Sequence, residues 1–581
     1  MPEERVINTT RPADLVTHKI LVDGEELSAV YSVLNITVEK ELNRVSSATI
    51  VMIDGDPAAQ EFALSNQDLL VPGKELEILA GYHADEEAIF KGIVIKHALK
   101  VRGNQSFLTV ECKDKSVKLT AARKSKYFYE SRDSEILEQI FDAYGLEKQV
   151  ETTDVQHAEQ VQYNVTDWDY CVARAQANGK LCIPDDGKII VKAPDYDQEP
   201  VQTVAYGATL LDFDAEMDAR NQFKQVKAYA WNKSEQSVLE IDAADASMSL
   251  NGNLSKDELA EVIDVEALKL KDGGNIFDTA LQAWADAKSL FNALAKTRGR
   301  MKFQGIAAVK PDTTINLEGV GDRFSGKVYI SAVRHEIAQG NWTVDAQFGI
   351  DPEWFTEKVN INAQQASGLT AAVHGLQVGV VTQLEGDPDG EDRILVRLPI
   401  VDNEEQGIWA RIATLDAGEN RGSFFRPEID DEVIVGFVND NPNDAVVLGM
   451  MNSSANPAPF TASDDNHEKG FVTRSGMKVV FNDDKKSIDV ETPAGKKVKI
   501  DEDGGVIQVE DENGNKTLLD ADGITLESAA NITLKATQDV TIEGMNVSVK
   551  ANAQLKAESS AGSEVSSSAN TVIKGAIVQI N

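Results

Sequence analysis

The stretch ITLESAANITLKATQDVTIEGMNVSVKANAQL, residues 524–555, decides the fold of the C-terminal part of this chain. Short V-x-V or I-x-L pairs recur in it: Ile524 with Leu526, Ile532 with Leu534, Val540 with Ile542, Val547 with Val549, then Leu555. Their first members are spaced 8, 8, 7 and 8 residues apart, an internal repeat of about eight residues. Thr, Asn, Asp, Ser, Ala, Gly and Lys lie between the pairs. Each repeat offers two large apolar groups on one face, too thin a stripe for a core within one chain, and a lone ribbon leaves its strand edges open. Winding several copies about one axis turns the apolar pairs inward and pairs the edges together. The expectation is an intertwined β-helix, most simply a trimer, with those eight paired residues as its core. Disorder is the competing reading for the repeat as a whole, and above all for SSAGSEVSSSAN at 559–570, where Ser, Ala and Asn dominate. The terminal GAIVQIN argues against it, because Ile577, Val578 and Ile580 would gain nothing in a flexible tail.

Upstream, residues 376–459 hold five short strand-like runs: Gln377 to Gln383, Arg393 to Pro399, Ile408 to Ile412, Glu432 to Val438 and Ala445 to Met450. Five strands in so short a span predict a small closed barrel of the OB type. The preceding TEKVNINAQQASGLTAAVHG at 356–375 is polar and small, as suits a linker. Residues 1 to about 120 alternate apolar and polar side chains between Asp-Gly and Pro-Gly turns, the period of antiparallel strands. Three helices interrupt this pattern. One follows Ser131 or Asp133 and stops at Gly145; one is capped by Thr166, buries Trp168, Cys171, Val172 and Ala175, and ends at Gly179; one spans about Asp278 to Thr297. Strand patterning returns from Lys302 to Phe348.

The 581 residues predict roughly three to five domains at ~150 residues each. Lys and Arg number 57 against 95 Asp and Glu, a net charge of −38 that disfavours a phosphate-tracking surface, so nucleic acid is not an expected partner. No run approaches the ~18 apolar residues of a spanning helix, and MPEERVINTT lacks a basic segment followed by an apolar one. Synthesis in the cytoplasm without a signal peptide is expected. Cys112, Cys171 and Cys182 are too few and too irregular for a disulfide framework or a metal site.

VGVVTQLEGDPDGEDRILVRLP and GIWARIATLDAGENRGSFFRPEIDDEVIVGFVNDNPNDAVVLGMM resemble the OB-fold of VgrG spike proteins. The resemblance rests on Gly379, Val380, the Arg393 to Pro399 strand, Trp409-Ala410-Arg411, Gly422, Phe425, Pro427-Glu428, Asp431 to Val433, Val435-Gly436-Phe437 and Leu448-Gly449. TDWDYCVARAQANG at 166–179 and LEGVGDRFSGKVYISAVRHEI at 317–337 resemble the N-terminal hub domain of that family, and the repeat resembles its triple-stranded β-helix. The opening is similar to the Vgr-like spikes of extracellular contractile injection particles. The resemblance implies a mainly β chain in three parts. Residues 1–365 would form a hub of β-barrel-like domains with a helical insertion at about 121–204, residues 366–460 an OB-fold neck, and residues 461–581 a trimeric β-helix needle. It implies a homotrimeric spike of a contractile injection system that caps the inner tube and punctures a target envelope. Inner tube and baseplate proteins would be partners at the hub, a PAAR-type tip protein at Ile577, Val578 and Ile580, with effector cargo as a further passenger. A type VI secretion VgrG, a prophage baseplate spike and a ligand-binding trimeric fibre are the alternatives.

No enzyme is expected. Only about 20 residues, Asn452 to Phe471, separate barrel from needle where some phage spikes carry a lysozyme domain, and the chain ends at Asn581 inside the repeat. His18, His83, His97, His157, His335, His374 and His467 show no paired metal spacing, and His335 reads as a packing or hydrogen-bonding group. GDPDGEDR at 386–393 could bind calcium but reads better as a turn. DEDGG, DENGN and DADG at 501, 511 and 520 could hold cations along a stalk, yet suit type I′ turns between short strands. No phosphate-binding glycine loop or GxSxG elbow occurs, and no cofactor or metal is expected.

Overall fold

The computed structural model describes residues 15–580 apart from 104, 247, 249 and 275. The opening MPEERVINTT, read above for a leader, lies outside the described residues. The chain is mainly β and divides into two units, one up to Val373 with Asn439–Pro442, the other from His374 to Val438 and from Asn443 onward. Among the described residues no helix is long and apolar enough to cross a membrane.

In the first unit the alternating sequence produces one continuous sheet of 13 strands. Its first half contains Val16–Val22, Val33–Glu41, Arg44–Ile53, Glu75–Tyr82, Asp85–Arg102 and Gln105–Lys113. Every second residue there turns inward, so Ile36, Val38, Ile50, Met52, Ile78, Phe90, Leu108 and Val110 form one core. The second half, with Leu210–Met217, Thr297–Gln304, Thr314–Glu318, Gly326–Ala338 and Asn341–Phe348, buries Met301, Phe303, Ile315, Leu317, Val344 and Ala346. The halves join where Gly326–Ala338 pairs antiparallel with Val33–Glu41, His335 opposite Val38.

Helices Asp133–Asp142 and Asp167–Ala177 share a third core with Phe128, Ile136, Phe141, Trp168, Cys171 and Val172. The first helix corrects the expected cap. Arg132 occupies the N-cap, and its backbone N–H donates to Glu135 Oε2 at 2.8 Å. In the second, Thr166 Oγ1 accepts from the Asp169 N–H at 3.1 Å, as read from the sequence. The third helix, Asp278–Leu294, ends short of Thr297 because that residue opens the strand Thr297–Gln304. A further helix, Lys256–Ile263, was not anticipated, although Ser255 and Glu258 form a reciprocal capping box at 3.1 and 2.7 Å. The short helix Phe355–Lys358 was likewise not anticipated.

A buried ionic network pins the turn at Asp186 to the sheet. Lys40, 2% exposed, donates to Asp186 Oδ1 at 2.7 Å, and Lys310 reaches Asp185 at 2.9 Å and Asp186 at 3.2 Å. The Lys91 N–H adds a third donor to Asp186 at 3.1 Å. Burial pushes the Asp186 carboxyl up, but Lys40 and Lys310 outweigh it and hold the group below its ordinary value.

His335 lies in the same region, fully enclosed, with its Nδ1 accepting from Trp342 Nε1 at 3.3 Å. Burial, aided by the Lys40 charge, lowers its pKa to about 3. A lowered folded-state pKa means the native form favours neutral imidazole. Its contribution is therefore fully present above the unfolded value of ~6.5 and fades as pH falls toward about 3. Carboxylates begin to lose their native advantage below ~5, so the window from ~6.5 to ~5 reports on histidines, among which burial lowers His18 as well as His335. We expect unfolding free energy to drop by roughly 2 kcal/mol across that window, and His335→Leu to flatten the slope. Parallel pH curves for the two proteins in denaturant titrations would show that His335 does not carry it.

In the second unit, Gln377–Gln383, Ile394–Arg397, Ile408–Ile412, Ala445–Met450 and Glu432–Phe437 close, in that order, into a five-stranded barrel. Its core is Val381, Ile394, Val396, Ala410, Val433, Val435 and Val447. Glycine is required at position 379 because a Cβ there would stand 2.5 Å from Val396 Cγ1.

Candidate assembly face

After the barrel, seven strands of five residues run antiparallel: Glu468–Val472, Lys478–Asn482, Ser487–Glu491, Lys497–Asp501, Val506–Glu510, Lys516–Asp520 and Gly523–Glu527. Among the described residues each pairs only with its neighbours in sequence. Alternation puts apolar residues on one face, and the register lines them up across strands. Phe481 faces Ile488, Ile488 faces Ile500, Ile500 faces Ile507, Ile507 faces Leu519 and Leu519 faces Ile524. A parallel row carries Val479, Val490, Val498, Val509, Thr517 and Leu526.

The opposite face carries a column of alternating sign: Lys478, Glu491, Lys497, Glu510, Lys516 and Glu527, each directly opposite the next. Lys478 Nζ lies 3.9 Å from Glu491 Oε2, and Lys497 reaches the diagonal Asp489 at 3.2 Å. Exposure is inverted relative to an ordinary amphipathic sheet. The Asp501 side chain is 11% exposed whereas Val509 is 48% exposed and Ile524 73%. A contiguous apolar face left in water marks an interaction surface.

The last three turns between these strands are built by carboxylates. Asp501 accepts from the Gly504 N–H at 2.7 Å, Asp511 from Asn513 and Asn515 at 2.9 Å each, and Asp520 from Asp522 at 2.9 Å. The Asn515 side chain and N–H draw the Asp511 pKa down to about 2. The type I′ reading is corrected. Such a turn needs positive φ at both central residues, and here only Gly505, Gly514 and Gly523 adopt it. Asp387 likewise organises its own turn, accepting from the N–H groups of Asp389, Glu391 and Arg393 and from the Arg393 guanidinium. Among the described residues no group of three or more His, Cys, Asp or Glu side chains is placed to hold a metal.

Ile524 and Leu526 thus stand on the apolar face, in register with Leu519 and Thr517. From 528 to 580 the chain has no strand among the described residues, and Ile532, Leu534, Val540, Ile542, Val547 and Val549 are all exposed in the single chain. The same holds for Ile577, Val578 and Ile580. On the barrel, Trp409 and Arg411 share the strand Ile408–Ile412, with Trp409 opposite Leu395. Pro427 is buried. Glu428 receives Arg474 at 2.7 Å, and Gly436 lies against Leu376 and Leu448. Phe425 stacks on Phe471 at 5.3 Å, tying the barrel to the first strand of the sheet. The charged column is the feature sequence reading missed. Its signal was present in SIDVE, KVKID, VIQVE and KTLLD, whose ends alternate in sign.

Residues 377–451 match the type VI secretion system/phage-baseplate injector OB domain, the stretch that carries the resemblance to VgrG spikes. A search of curated proteins finds no match. Among solved structures, a 43 kDa tail protein of prophage MuSo2 from Shewanella oneidensis is similar at 12% identity and a TM-score of 0.45, over 58% of this chain and 98% of its own. A type VI secretion component from E. coli gives 12%, 0.39, 74% and 100% for the same quantities. The Francisella PdpA-VgrG complex gives 9%, 0.38, 89% and 80%. Residues 12–339, more than half of the sequence, match the family described as the Alg8 N-terminal domain, and to that family the chain belongs.

Proposed function

We propose that this chain is the non-enzymatic, homotrimeric spike and hub of a contractile injection system. It caps the inner tube and is driven through a target envelope when the sheath contracts. The observation that carries this reading is the apolar face, exposed across seven strands and continued by a repeat that one chain cannot bury. Three copies would bring those faces to a common axis and leave no open strand edge. The injector-type OB domain beside it supports the same role. The first unit meets inner tube and baseplate proteins, Ile577, Val578 and Ile580 meet a PAAR-type tip protein, and effector cargo travels with the spike. Synthesis in the cytoplasm is followed by incorporation into a tail-like particle.

Light scattering on the purified full chain tests the assembly. The expected mass is about three times 63.2 kDa, and the band should survive SDS without boiling. A mass of one chain, unchanged across concentrations, would overturn the proposal.

A further inference from the structure

Burial of apolar rows explains why copies associate, yet it leaves their relative height undetermined. We propose that the alternating-charge column continues from the sheet into the eight-residue repeat and sets neighbouring copies one repeat out of step. This rests on the trimeric reading above and names the contact that fixes it.

In the sheet the column ends at Glu527, directly after Leu526. The residue following the second member of each later pair continues it: Lys535 after Leu534, Glu543 after Ile542, Lys550 after Val549 and Glu558 after Ala557. The signs alternate at every step, with spacings of 8, 8, 7 and 8. On an extended strand the residue beside an apolar one points to the other face, so all five share the face that carries the column in the sheet.

Glu527 faces Lys516 of its own chain, but among the described residues no strand of the chain lies beside the other four, and Glu558 meets Lys556 of its own segment. The strand that pairs with each repeat is therefore supplied by a second copy. Copies stacked at equal height would set Glu543 on Glu543 and Lys535 on Lys535, and like charges directly opposite are destabilising. A shift of one repeat sets every Glu against a Lys. Chains that climb one strand per repeat around a shared axis have that offset at every level. The same pattern opposes flat, in-register stacking of the kind that builds fibrils.

The test uses the full chain. Lys535→Glu with Lys550→Glu makes all five positions acidic and mismatches each of the four steps. Adding Glu543→Lys and Glu558→Lys restores the wild-type net charge and opposite signs at three of them. The double variant should lose SDS resistance and dissociate on the order of 10 °C below wild type, with the gap narrowing in high salt. The quadruple variant should recover most of the loss despite carrying more substitutions. A trimeric wild type whose double variant melts alongside it, or a quadruple variant no better than the double, overturns the offset ladder. A wild type that is not trimeric fails the functional proposal instead.

Discussion

Asp186→Ala should destabilise the first unit by about 3 kcal/mol, seen as a lowered denaturant midpoint with an unchanged slope. The carboxylate accepts Lys40, Lys310 and the Lys91 N–H, and Lys40 is 2% exposed. Removing the anion leaves an ammonium enclosed without its counter-charge, which costs far more than loss of a surface pair. The accompanying Lys40→Met change should recover much of the deficit, because an apolar side chain has no charge to desolvate. A single-variant cost below ~1 kcal/mol would mean that water reaches Lys40 and that the turn at Asp186 is not pinned by charge.

The second large effect concerns the repeat. Val540→Asp with Ile542→Asp should abolish the SDS-resistant trimer while leaving the OB barrel folded. Both residues are exposed in one chain, so the substitutions have little to disturb there. In three wound copies each position would present three carboxylates to one axis, with no partner to offset their desolvation. Light scattering reads the outcome directly. A variant that still runs as a stable trimer would show that these side chains face outward, and the inward register would have to be abandoned.

Local signals made much of this molecule legible in advance. The five barrel strands stood out because alternation and turn residues agree within each short run, and the helix at Asp167–Ala177 because Thr166 and Asp169 are cap residues at cap spacing. Lys256–Ile263 carried an equally good box in Ser255 and Glu258 but is only 8 residues long, too short for periodicity to mark it, and of its apolar residues only Leu259 and Ala260 are buried. The Lys40–Asp186 pair could not be read at all. Its members are 146 residues apart, and nothing local distinguishes a lysine that will be enclosed from one that will be solvated. The charged column needed the pairing register as well, since its alternation becomes a ladder only when each strand is laid against the next. The turn error has a physical origin too. Asp-x-x-Gly sequences satisfy both a mirror-image turn and a side-chain-closed one, and the hydrogen bonds of Asp501, Asp511 and Asp520 select the latter.

Among the described residues, each of the seven strands after the barrel bonds only to strands adjacent to it in sequence. Such nearest-neighbour pairing closes small loops, so these hairpins can pair quickly within one chain, although their apolar face stays open to water. In the trimer proposed above the repeat that follows could not, because its pairing strands would belong to other chains and would arrive by diffusion. Folding of such a trimer would therefore divide into a fast step independent of concentration and a slow one set by how often chains meet. On that proposal the rate at which complete particles appear in a cell would be tied to the local density of newly made copies.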